Sequence, residues 1–191
     1  MGSRVLILVR HGQYVNDEKS RHYGQLTALG RRQAKRTGKR LSEYQFDVAY
    51  HSDMKRAVET AAIVFGEMEP LPSHTMKALR EITPPLPSHL GENAKQRSSQ
   101  QKLLRAALDT LVPRFLSAPK GNRNRLELIV AHGNLIRYLV RLAMGDKTSE
   151  WWRMGTSNCG ITILAIRQGG PNALYQYNDV GHLPKSMQTI T

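Results

Sequence analysis

Two short apolar runs, each stopping on histidine and glycine, set the hydrophobic pattern of this chain. Val5-Leu6-Ile7-Leu8-Val9 runs into Arg10-His11-Gly12, and Leu126 to Ala131 runs into His132-Gly133. Apolar runs of this length predict strands buried on both faces. Elsewhere the period is that of helices. Thr27 is placed to cap a helix reaching about Tyr44, with Leu29, Ala34, Thr37 and Leu41 on one face. Phe46 to Tyr50 reads as a further strand, after which Ser52 is placed to cap a helix carrying Lys55, Arg56, Glu59, Thr60 and Ile63. Residues 13 to 25 and 66 to 75 read as connections, and Pro84, Pro85 and Pro87 demand an extended or turning path. Ala94 to Leu116 predicts a long helix with Leu103, Leu104, Ala107, Leu108, Leu111 and Val112 as its apolar stripe, kinked or broken at Pro113. The helix after His132-Gly133 extends to about Met144, turning Leu135, Leu139 and Leu142 inward. Ile161 to Ile166 and Asn172 to Tyr177 close the chain as strands. Strands alternating with helices imply an α/β fold around a largely parallel sheet. No repeat and no domain boundary is visible, so residues 1–191 read as a single domain.

Composition narrows the class. Of 191 residues, 40% are hydrophobic and 23% charged, which fits a globular chain rather than a disordered one. The N-terminal apolar run is too short for a membrane span or a secretory signal, so no membrane anchor is expected in this chain. The single cysteine, Cys159, excludes an internal disulfide and a cysteine-rich zinc site. A net charge of +13 favours anionic partners. Much of it lies in Arg31, Arg32, Lys35, Arg36, Lys39 and Arg40, whose helical spacing reads as a solvated face. Nucleic acid is disfavoured, because aromatics are not interleaved with the basic residues and no RNA-binding motif is present. Homo-oligomerisation is left open by the sequence, and the cytoplasm is the default compartment.

In an open parallel sheet, ligands bind beyond the carboxyl ends of the strands. Arg10, His11 and His132 would stand at that edge, joined by Arg56 from the first turns of the helix after the third strand. Gly12 would let the backbone turn sharply. Two arginines and two histidines converging on one crevice need an anion to hold them together, and phosphate fits. A neutral His11 can attack phosphorus while Arg10, Arg56 and His132 neutralise the oxygens. A carboxylic acid is then needed to protonate the leaving oxygen and activate water, and Glu81, just before the proline run, is the best candidate. The competing reading of Glu81 is a surface carboxylate paired with Arg80.

These residues resemble a known family. Arg10-His11-Gly12, Leu26-Thr27-Ala28-Leu29-Gly30, Ser52 with Arg56 through Ala61, and Ala131-His132-Gly133 together resemble the histidine phosphatase superfamily, in its phosphoglycerate-mutase-like branch, over nearly the whole chain. The resemblance implies a three-layer α/β/α sandwich with a mostly parallel central sheet, a phosphohistidine at His11, and no metal or other cofactor. It assigns the phosphate pocket to Arg10, Arg56 and His132, and supports Glu81 as proton donor. Further stretches are similar to the group of mitochondrial phosphoglycerate-mutase-like Ser/Thr protein phosphatases: His11 to Tyr14, His51 to Thr60, Leu79-Arg80-Glu81 with the prolines to Ser88-His89, and Asn134 to Tyr138. This implies a phosphorylated protein as substrate and mitochondria as the alternative compartment, while Gln13, His89 on the proline loop and Asn134 are candidates for further substrate contacts. The competing enzyme readings are a phosphoglycerate mutase and a small-molecule (sugar or nucleotide) phosphatase. Residues 82 to 125 look too spare for the insertion that a mutase usually carries.

Overall fold

A computed structural model describes residues 2–86, 94–119, 121–146 and 150–190 of the chain. Its centre is a six-stranded sheet in the order β3-β2-β4-β1-β5-β6. The strands are β1 (Ser3–Arg10), β2 (Val48–His51), β3 (Ser73–Thr75), β4 (Arg125–Ala131), β5 (Ile161–Arg167) and β6 (Ala173–Asp179). The helices are α1 (Ala28–Leu41), α2 (Lys55–Phe65), α3 (Ala94–Leu111) and α4 (Gly133–Ala143). β1, β2, β3 and β4 run parallel, whereas β5 is antiparallel to β1 and β6 antiparallel to β5.

The unalternating apolar runs are explained by a layer on each face. Leu6, Leu8, Ile129 and Ala131 point to a core shared with Leu104 and Leu111 of α3 and Leu135 and Leu139 of α4. Ile7, Val9, Leu128 and Val130 point the other way, to Ala34 and Leu41 of α1 and Ala61 and Val64 of α2. The sandwich therefore has three layers. The chain leaves β1 toward α1 on one face and its neighbour β4 toward α4 on the other, which is the arrangement at which open α/β sheets offer a crevice to ligands.

Several local expectations are corrected. Ser73–Thr75 forms a short strand on β2 within the stretch read as connective. The basic residues of α1 do form a solvated face, and two of them cross to α2, Arg31 to Glu59 (2.7 Å) and Lys35 to Glu67 (3.7 Å). The long helix ends at Leu111, and the residues around Pro113 continue as a π turn (Val112–Leu116), because proline has no N–H for the regular ladder. Leu103, read as part of the buried stripe, is 67% exposed, and Val112 is 36% exposed. Thr27 caps α1 as expected, its Oγ1 accepting from Gly30 N–H at 3.0 Å. Ser52 does not cap α2: Met54 occupies that position without a side-chain cap, and Ser52 has another partner, described below.

At the sheet edge opposite the crevice, Glu127 is fully buried between two arginines. Arg4 Nε lies 3.1 Å from one carboxylate oxygen and Arg114 Nη1 3.3 Å from the other. Arg4 also donates to the carbonyls of Arg114 and Ser117 (2.6 and 2.7 Å), tying the π turn to β1. Glu127→Gln would leave both cations without a counter-charge, and it is expected to cost about 3–5 kcal/mol in equilibrium urea unfolding.

Candidate active site

The register of the sheet assembles the site. Arg10 pairs with Ala131, so His11 and His132 follow at equal height on adjacent strands. Their ring centroids are 5.1 Å apart. On the other side of β4, Ser52 N–H donates to the Val130 carbonyl (3.1 Å), which sets Ser52 beside His132. One run of hydrogen-bonded strands thus lines up Ser52, His132 and His11 along the carboxyl edge.

His11 is held on every side. Its N–H donates to the Ala131 carbonyl (3.0 Å), and its own carbonyl accepts from Asn158 Nδ2 (3.2 Å). Ring atom Nδ1 is 2.9 Å from the Gly12 carbonyl, and Nε2 is 3.0 Å from Nε of Arg56. A carbonyl only accepts and a guanidinium only donates. The one consistent tautomer therefore carries its proton on Nδ1 and presents a lone pair at Nε2. Burial, reinforced by the charges of Arg56 and Arg10, pushes the imidazole down to about 3, so it is neutral at physiological pH.

Gly12 plays a different part from the sharp turn expected. It has no left-handed φ; a Cβ there would lie 2.7 Å from the Gly30 carbonyl, so its smallness lets the first turn of α1 close on the loop. Arg56 is clamped from behind by Tyr14, whose ring its guanidinium covers at 4.6 Å and whose edge meets His11 at 5.2 Å. Arg10 is buried, with Nη1 donating to the Thr156 carbonyl (2.6 Å) and burial pulling its pKa below the usual value.

His132 is fully buried and held well below the ordinary imidazole range, first by burial and then by the neighbouring His11, Arg56 and Arg10. Its Nε2 is 2.9 Å from Ser52 Oγ, which also accepts from Met54 N–H (3.2 Å). Ser52 Oγ can either donate to Nε2 or accept from it; when it donates, the proton of His132 resides on Nδ1, a buried atom with no hydrogen-bond partner among the described residues. In that tautomer His132 offers an N–H donor.

Glu81 turns inward rather than to the surface. Arg80 is engaged in two bonds to Asp53 (2.6 and 2.7 Å), which removes the competing surface pairing. The Glu81 carboxylate instead reaches the start of α4, accepting from Leu135 N–H (3.3 Å) and Ile82 N–H (3.2 Å). Burial raises its pKa despite these donors and nearby Arg10, so it holds a proton to higher pH than an ordinary glutamate. The remaining sequence candidates are less central. Gln13 spends its side-chain oxygen on Thr27 Oγ1 (2.8 Å), and Asn134 accepts from Arg137 Nη1 (3.1 Å). His89 lies outside the described residues. Among the described residues, no group of three His, Cys, Asp or Glu could hold a metal ion, and no helix is long and apolar enough to cross a membrane.

Sequence reading missed the roles of Tyr14 and Asn158. Tyr14 lies just past the strand-end motif but carries no local sign of stacking on Arg56, whereas Asn158 is brought to the motif by the fold alone. Ser52 carried a signal, its place ahead of Arg56, but that signal was read as a cap.

The geometry matches a known family. A model of the histidine phosphatase superfamily (branch 1) matches residues 6–85 and 89–179. The chain belongs to the histidine phosphatase superfamily. It is 35% identical to the mitochondrial serine/threonine-protein phosphatase Pgam5 of Caenorhabditis briggsae, over 99% of this chain and 68% of that protein. It is 34% identical to the Rattus norvegicus counterpart, over 95% of this chain and 65% of that protein. The chain thus spans about two thirds of these relatives. Among solved structures, a phosphoglycerate mutase from Plasmodium falciparum superposes with a TM-score of 0.66 at 29% identity, covering 100% of this chain and 99% of that one. Membership and kinship make the chain an enzyme of the phosphatase class on a phosphoglycerate-mutase-like α/β fold.

Proposed function

We propose that this chain hydrolyses phosphomonoesters without a metal, through a phosphohistidine on His11, and that its substrates are phosphoserine and phosphothreonine in proteins. The observation that carries the mechanism is the unprotonated Nε2 of His11, 3.0 Å from the Arg56 guanidinium. Arg56 Nε stands within hydrogen-bond reach of that lone pair, so the same guanidinium can bind the oxygens of a phosphate presented to Nε2. Nε2 then attacks phosphorus as the ester P–O bond breaks, and protonated Glu81 gives its proton to the leaving oxygen. Arg10, Arg56 and the Nδ1–H of His132 bind the equatorial oxygens as charge shifts. In the second step the Glu81 carboxylate takes a proton from water as its oxygen attacks phosphorus. The N–P bond breaks, and phosphate and neutral His11 result.

The protein-substrate reading rests on kinship with the named Ser/Thr phosphatases, which stands at 32–35% identity over nearly the whole chain. Mutase activity is the second reading, favoured by the likeness to the Plasmodium mutase. That protein is matched over 99% of its length, so the spareness of residues 82 to 125 does not separate the two activities. Phosphate release in EDTA from p-nitrophenyl phosphate, a phosphothreonine peptide and 3-phosphoglycerate decides between them. Release from the peptide with the highest kcat/KM is expected, whereas conversion of 3-phosphoglycerate to its 2-isomer without phosphate release would overturn the reading.

The Ser52 contact gives a further expectation. Ser52→Ala should lower kcat/KM roughly ten-fold, the size of one hydrogen bond, by freeing the His132 tautomer. The 15N shifts of His132 check the cause: the wild type should show a protonated Nδ1, and the variant a mixture.

A further inference from the structure

Beside the phosphate pocket runs a groove that the mechanism does not use. It has a volume of about 390 Å³ and is lined by Tyr23, Gly24, Asp53, Met54, Lys55, Arg56 and Arg80. Three separate parts of the chain meet in it: the loop after β1, the start of α2, and the segment leading to Glu81. One wall is Arg56 itself, the residue that bonds His11 Nε2, and another is Arg80, the neighbour of Glu81. The groove thus shares Arg56 with the site around His11 and Arg80 with the segment that carries Glu81.

Its chemistry is specific. Tyr23 is 41% exposed, and with Met54 it offers an aromatic and a thioether surface to an extended backbone. Lys55 is exposed and makes no ion pair among the described residues, while its aliphatic stem passes over Gly24. Arg80 is fixed in place by its two bonds to Asp53, the single carboxylate lining the groove. With Arg56 assigned to the phosphate and Arg80 paired with Asp53, the charge of Lys55 remains uncompensated in the groove. Residues so arranged attract a second anion close to the phosphate.

We propose that the groove of Tyr23, Met54, Lys55 and Arg80 is a specificity subsite that receives an acidic side chain flanking the phosphorylated residue of a protein substrate. This rests on the phosphoprotein reading above. Lys55 supplies the mobile cation that meets the carboxylate, Arg80 the fixed one, and Tyr23 covers the peptide between them. Lys55 is the residue that sets the preference, since Arg80 already has a partner.

The test compares kcat/KM for two phosphothreonine peptides that differ only in acidic or neutral flanking residues, with p-nitrophenyl phosphate as a control for a working wild-type enzyme. The wild type is expected to prefer the acidic peptide roughly three- to five-fold, the scale of a partly exposed ion pair, and less at high ionic strength. Lys55→Met keeps the stem and removes the charge, and should bring the ratio close to one. Lys55→Glu should push it below one. Because each ratio is taken within one enzyme form, a general loss of activity cancels. An acidic preference that persists in both variants, or a wild type indifferent to the flanks, would overturn the subsite while leaving the phosphoprotein reading intact. A wild type that cleaves p-nitrophenyl phosphate and neither peptide would overturn the phosphoprotein reading itself.

Discussion

His11→Ala is expected to lower kcat/KM for every phosphate ester by on the order of 10⁴–10⁶-fold, the range seen when a covalent nucleophile is removed. The expectation follows from how completely the structure dedicates one nitrogen. Nδ1 is spent on the Gly12 carbonyl, and the backbone of His11 is bonded on both sides. Nε2 is thus the single reactive atom of a side chain that burial keeps neutral. No neighbour can replace it: the Nε2 of His132 is turned to Ser52, at 2.9 Å. The loss should fall on kcat far more than on phosphate affinity, since Arg10, Arg56 and His132 remain to bind the anion. Stopped-time phosphate release together with inorganic phosphate inhibition measures both. A variant that still turns over within ten-fold of wild type would place the nucleophile elsewhere.

The second large effect concerns Glu81 and depends on the leaving group. Glu81→Gln should cost about 10²–10³-fold on a phosphothreonine peptide, whose alkoxide leaves only with a proton, at the scale of general acid catalysis. On p-nitrophenyl phosphate, whose phenolate needs no proton, the phosphorylation step should change little. The pH profile carries the same assignment. His11 must be neutral, and its pKa is pushed down to about 3, so activity should rise with pH only in that acid region. Glu81 must be protonated for the first step, and burial raises its pKa, so peptide turnover should fall as pH climbs through that raised value. Glu81→Gln should erase the alkaline limb for the peptide. Equal losses on both substrates, with the limb intact, would assign the proton to another group.

How much of this was legible in the sequence follows from where each interaction is encoded. The strand-end motifs were readable because strand burial and the residues that terminate a strand are adjacent in the chain. Val5 to Val9 announced a two-faced strand, and His11 had to stand at its end. That His11 and His132 would be neighbours followed from parallel strands opening on one edge. Their pairing across β1 and β4, Arg10 opposite Ala131, is a register that sequence pattern alone leaves unspecified. Ser52 shows the limit more sharply. Serine ahead of a helix is favoured as a cap, and local statistics chose that use, yet its hydroxyl is drawn to a histidine 80 positions away. Gly12 was legible as a glycine the site requires, but the reason, room for Gly30 of α1, lies in packing rather than in φ. Leu103 fitted the apolar period of α3 and still faces solvent, because a helix on an open layer buries a narrower stripe than its composition offers. The Arg4–Glu127–Arg114 cluster was not legible at all: Arg4 and Glu127 stand 123 positions apart, and such a pairing leaves no local pattern.

The most direct test of the central claim is to mix enzyme with a slow phosphorylated substrate in EDTA, quench in alkaline denaturant within milliseconds, and map the labelled peptide by mass spectrometry. Phosphate on the His11 peptide, stable to base, released by acid and missing in His11→Ala, is the predicted result. Turnover with no labelled histidine, or with the label on His132, would contradict it.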